Sequence, residues 1–147
     1  MNQAHLHLIF NHFPLIGSIF GLGILLFGLI KRNQTLKETG LVVLVIAALL
    51  VAPSLKTGEG AEEIVEGFGV SKAMIHEHEE VAEKFSWLMS LTAVAAIVSF
   101  VALRKRTAFA KIAIIITTVL AIASVVLGKF VGTSGGELRH TEIRSEG

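Results

Sequence analysis

Four apolar runs, at about residues 8–30, 37–54, 82–103 and 107–131, dominate this 147-residue chain. Each approaches the roughly 20 residues that a helix needs to cross a bilayer. None alternates apolar with polar, and all are too long for strands, so helices are the reading. The second run, TGLVVLVIAALLVAP, is short and needs its flanking turns to span. Lys111 and Lys129 lie near enough to the ends of the fourth to snorkel. Short connections between four helices predict an all-α integral membrane fold: one antiparallel four-helix bundle, with short helices at its outer face. A loop over 56–81 and a tail over 133–147 complete this single domain. Composition agrees: 52% of residues are hydrophobic and 17% charged, with mean hydropathy +0.70. There is no cysteine, which excludes disulfides, thiolate metal sites and covalent c-type haem attachment. Met1-Asn2-Gln3-Ala4 lacks the basic start of a cleavable signal, so the N-terminus is expected to stay in the mature chain.

Charge sets the expected orientation. The connections KRNQTLK and RKR fall on one side of a four-span topology, which with Lys111 and Glu38 carries a net +6, against −5 on the other. The positive-inside rule then places both termini and the middle loop outside the cytoplasm, in the periplasm of a Gram-negative cell. All six histidines and eleven of the twelve acids fall on that outer side.

Three segments bring the histidines. The first, HLHLIFNHFP, holds His5, His7 and His12 before Pro14, which forces a kink or restart with His12 at the joint. If residues 4–12 are helical, His5 and His12 share a face and His7 points elsewhere. Imidazole is costly beside a membrane unless something needs it. In the second, SKAMIHEHEEVAEKF, Ser71 can cap a helix running into the third span. There His78 lies in the apolar stripe of Met74, Ile75, Val81, Ala82 and Phe85, while His76, Glu80 and Glu83 lie nearly opposite. Glu59 and Glu62, just after the second span, are candidate outer or alternative ligands; solvated acids are the plainer account. In the third, GTSGGELRHTEI, Gly135-Gly136 permits a tight return carrying Glu137, Arg139 and His140 over the outer mouth.

The spacing His-x4-His-Phe-Pro from His7 to Pro14 resembles the start of a bacterial family of small four-helix membrane domains of unknown function. So do Thr57-Gly58, a histidine entering the third span (His78), and the closing Gly-Gly-x-Leu-x-His of Gly135 to His140. The resemblance implies that His7, His12, His78 and His140 are the family's histidine positions. Members sometimes joined to c-type cytochrome modules imply a redox setting. His5, His76 and the crowded glutamates depart from the pattern.

Three functions compete. A b-type haem needs no cysteine and fits a four-helix bundle, with His12 and His78 as the natural axial pair. His7 and His140 would then serve a second haem or its propionates, and Gly17, Gly21, Gly23, Ser86 and Ser90 would make room. Such a protein would carry electrons between quinone and a periplasmic protein. A non-haem Zn, Fe or Cu site of imidazole and carboxylate is the alternative, in a membrane hydrolase or oxidase with glutamate as base. HEHEE is not the HExxH of zinc proteases. The third is an interaction subunit with a polar or pH-sensing histidine cluster, and a homodimer is conceivable. No nucleophile constellation, phosphate loop or nucleic-acid patch is present.

Overall fold

The structure, a computed structural model, describes residues 1–144. It is all-helical, with 85% of residues in helices and no strand among those described. The helices are α1 (Gln3–Phe10), α2 (His12–Ile30), α3 (Gln34–Leu49), α4 (Val51–Glu59), α5 (Glu62–Glu66), α6 (Lys72–Arg104) and α7 (Ala110–Arg139), followed by a 3-10 turn at Thr141–Ile143. End to end, α1–α2, α3–α4, α6 and α7 form four helices long and apolar enough to cross a membrane. The chain is a multi-pass membrane protein. Exposed Phe20, Ile46, Val94 and Ile115 on these helices are the apolar surface that lipid solvates.

Proline divides the first two long helices at matching places. Pro14 is the third residue of α2 and Pro53 the third of α4. Neither can donate to the carbonyl four residues back, at Phe10 and Leu49, and α1 and α3 end at those residues. The first break was expected from the sequence and the second was not. Ser71 caps α6 as its type predicts, its hydroxyl accepting from Met74 N at 3.3 Å. Helix also fills most of the expected 56–81 loop, leaving only residues 60–61 and 67–71 outside helices.

The helices pack as two hairpins. Along α2 and α3, Gly28 meets Leu36 and Lys37, Leu25 meets Gly40, Gly21 meets Leu44 and Gly17 meets Ala47, in reversed order. A Cβ on Gly40 would stand 2.6 Å from the Leu25 backbone nitrogen, so these axes approach as closely as membrane helices with small residues allow. Between α6 and α7, hydroxyl pairs join the middle of the helices: Ser99 Oγ to Thr117 Oγ1 at 2.9 Å and Thr92 Oγ1 to Ser124 Oγ at 3.0 Å, all fully buried. Leu25, Leu41, Leu44, Ala96, Ile114 and Ala121 form one half of the core. Ala47, Val51, Phe85 and Met89 form the half toward the histidines.

The two hairpin turns repeat each other. Lys31-Arg32-Asn33 and Lys105-Arg106-Thr107 each place arginine in the left-handed region, at φ 52° and 51°. The following residue donates back to Gly28 O at 2.9 Å or Ala102 O at 3.0 Å, closing the helix end in the same way. Arg104 also pairs with Glu38 at 2.8 Å across this basic end.

The tail corrects one expectation. No tight return occurs at Gly135-Gly136, because α7 runs through both to Arg139. The chain turns one step later, at His140 (φ −113°, ψ 95°). Ile143 then comes back against Gly136, and Arg144 Nε donates to Glu137 O at 2.8 Å. The glycine pair serves close approach within a helix. Residues 145–147 of the expected tail lie outside the described residues.

Candidate functional site

Two imidazoles are held in matching ways. His7 lies half-buried on α1, which ends before the Pro14 break and packs on α4, the helix that carries Pro53. Its Nδ1 is 3.0 Å from Ser54 O and 3.4 Å from Thr57 Oγ1. Thr57 spends its own hydroxyl hydrogen on Pro53 O at 2.7 Å or Ser54 O at 3.0 Å, so its oxygen faces the ring as an acceptor. A carbonyl accepts only, so the His7 proton resides on Nδ1 and the lone pair on Nε2.

His78 repeats the arrangement on α6. Its Nδ1 lies 2.9 Å from Ser134 Oγ. Ser134 donates its own hydrogen to Val131 O at 3.2 Å, so it accepts from Nδ1–H and again leaves the lone pair on Nε2. A glycine follows each hydroxyl residue and lies under each ring. A Cβ on Gly58 would stand 3.2 Å from His7 Cε1, and one on Gly135 would stand 3.0 Å from His78 Cε1. Thr57-Gly58 and Ser134-Gly135 are thus two cradles of one kind, each on the second long helix of its hairpin.

Counted along their helices, the two rings lie at similar heights above the basic turns. His7 lies 23 residues before the α2 end at Ile30 and His78 lies 26 before the α6 end at Arg104, about 35 and 39 Å of helix. Each length exceeds the roughly 30 Å thickness of a hydrocarbon layer. His7 is within electrostatic reach of both His12 and His78. Below His78, two turns along α6, buried Phe85 closes the stripe toward the core.

The other expected residues are placed differently. His12 starts α2 and is exposed. His5 is exposed and lines a cleft on another side of α1. His76 is exposed, 3.4 Å from Glu80 and 3.9 Å from Glu79, and Glu80 also binds Lys84 at 3.1 Å. His140 is exposed and paired to Glu142 at 2.9 Å. Glu59 is exposed at the end of α4. The Glu62 carboxyl lies against that of Glu79; a shared hydrogen bond, then burial, raise the pKa of Glu62. Among the described residues, no three His, Asp or Glu side chains come within metal-ligating reach of one another.

Three of the small residues expected to make room are used otherwise. Gly17 and Gly21 are filled by Ala47 and Leu44 of α3, while Ser90 is exposed with its hydroxyl on Ser86 O at 2.9 Å. Room for the rings comes from Gly58 and Gly135. The signal for Ser134 was a hydroxyl next to a helical glycine, a pattern present at Thr57-Gly58 as well. Asn11 Oδ1, between α1 and α2, is buried without a hydrogen-bond partner.

Compared with known protein families, curated proteins and solved structures, the chain matches none.

Proposed function

We propose that this protein is a b-type cytochrome: an antiparallel four-helix bundle of the bacterial cytoplasmic membrane in which His7 and His78 would hold one haem. Its histidine end and both termini face the extracytoplasmic side, following the charge asymmetry of its connections. It passes electrons between membrane quinone and a periplasmic protein. The carrying observation is the matched anchoring of two Nδ1 atoms, which leaves two Nε2 lone pairs without partners among the described residues.

The donor set fits haem. An iron porphyrin asks for two protein ligands, whereas a structural zinc site asks for about four and a catalytic one for about three. When bound, haem supplies a one-electron couple. The chain's own groups do the rest. Ser54 O and Ser134 Oγ hold the proton at each Nδ1, fix the tautomer and make Nε2 more basic. Gly58 and Gly135 let the rings approach the helix backbone closely. Phe85 keeps water from the bundle side.

One observation favours a second reading. His12 is within electrostatic reach of His7, and the residue before it in the chain, Asn11, has a buried Oδ1 without a hydrogen-bond partner. A Zn, Fe or Cu site with mixed nitrogen and oxygen ligands would use that group.

The test is a reduced-minus-oxidised spectrum with elemental analysis on protein purified in detergent from haem-replete cells. The expected result is a sharp α band with stoichiometric iron, lost in His7→Ala and in His78→Ala but kept in His12→Ala and His76→Ala. Stoichiometric zinc, copper or iron without haem bands, lost in His12→Ala, gives the second reading. Absence of both overturns each.

A further inference from the structure

On the side of α1 away from His7 lies an open cleft of about 360 Å³. Its walls are Leu8, Ile9, Ile64 and Phe68, and its polar groups are Asn2, His5 and Arg139. The size and mix suit a small organic ligand: mostly apolar lining with a few placed donors. Phe68 is 74% exposed, and the Arg139 guanidinium lies over one side of its ring, 5.8 Å from the centre. Asn2 Oδ1 already accepts from His5 N at 2.9 Å, which leaves the amide NH2 of Asn2 to donate.

We infer that this cleft binds the head group of a quinone, with Arg139 and His5 as donors to its ring oxygens and Phe68 as its stacking face. The inference rests on the haem reading for its purpose and names where that electron partner docks. A quinone ring is flat, apolar on its faces and accepts hydrogen bonds at opposite edges, as these walls and donors ask. A lipid phosphate needs concentrated positive charge, and only one permanent cation lines the cleft. Position agrees. His5 and His7 are two residues apart, about 200° around one helix. The quinone and the paired imidazoles would then lie on opposite sides of a helix about 10–12 Å thick, a short path for an electron.

The experiment titrates decylubiquinone and menadione into detergent-solubilised protein by calorimetry, which reads binding whether or not haem is present. One saturable site per chain is expected. Arg139→Ala and His5→Ala should each weaken it about tenfold or more, the worth of one lost hydrogen bond to a charged or strongly polar donor. Ile9→Trp should block it by filling the cleft with both donors intact. His76→Ala should leave it unchanged, and helicity and the visible spectrum should be the same in all variants. No saturable site, or a site indifferent to all three cleft substitutions, overturns the inference. So does phosphatidylglycerol showing the same residue dependence while the quinones show none. No haem bands in the parent protein, with quinone binding intact, would count against the haem reading alone.

Discussion

At Gly135 one methyl group decides whether the His78 ring can keep its place. An added Cβ would stand 3.0 Å from His78 Cε1, tighter than normal contact, on a rigid helix backbone. Gly135→Ala should displace the ring from Ser134 and weaken haem retention, while Gly132→Ala, whose Cβ would meet Leu15 at an ordinary 3.6 Å, should not. Haem content per chain after detergent extraction checks this. Among the histidines, sequence alone paired His12 with His78 because His12 lies at the joint before Pro14. The geometry favours His7. Which imidazole finds a carbonyl acceptor depends on Ser54, 47 residues away, and no local pattern encodes that.

At the scale of elements, the two hairpins are joined by different chemistry and should respond differently. Ser99→Ala removes one hydroxyl from a buried pair but leaves Thr117 bonded to Ala113 O at 3.0 Å. It should cost about 0.6 kcal/mol, the average for such interhelical bonds. Gly40→Ala drives a Cβ into the Leu25 backbone and should cost more, at least the roughly 1–3 kcal/mol of overpacking. Unfolding titrations from native to denaturing micelles measure both. The spans were legible because apolar length is a local property. Their ends were not. Helix runs on past the apolar stretches, to Glu59 and Arg139, because tertiary partners rather than lipid stabilise those last turns. The break before Pro53 follows the same rule as the one before Pro14, yet sits inside a run whose apolar pattern is uninterrupted.

At the scale of the whole molecule, charge divides the two ends. A single cysteine replacing Lys105 should resist a membrane-impermeant thiol reagent in intact spheroplasts, and one replacing Lys72 should react; the reverse pattern inverts the proposed topology. The acidic end also carries a pH dependence. Glu62 keeps its proton to higher pH in the folded protein than in the unfolded chain, because it shares a hydrogen bond with Glu79 and feels Glu66 as well. The folded state therefore binds more protons across that window. The Glu62 contribution is fully present below the ordinary glutamate range and is lost as pH rises through the raised value. Stability profiles taken upward from the ordinary glutamate range should show this fall in the parent protein, flattened in Glu62→Gln.

Length, hydropathy and charge in the sequence determined the helical class, the four membrane-crossing helices and the gathering of all six histidines at one end. These follow from solvation, which acts on each segment alone. Tertiary structure decided which histidines are anchored, where the glycines are spent and where the tail turns back. Those outcomes depend on contacts such as His78 with Ser134 or Ile143 with Gly136. The first of these joins residues 56 apart, and such a match is set by packing geometry that no single segment contains.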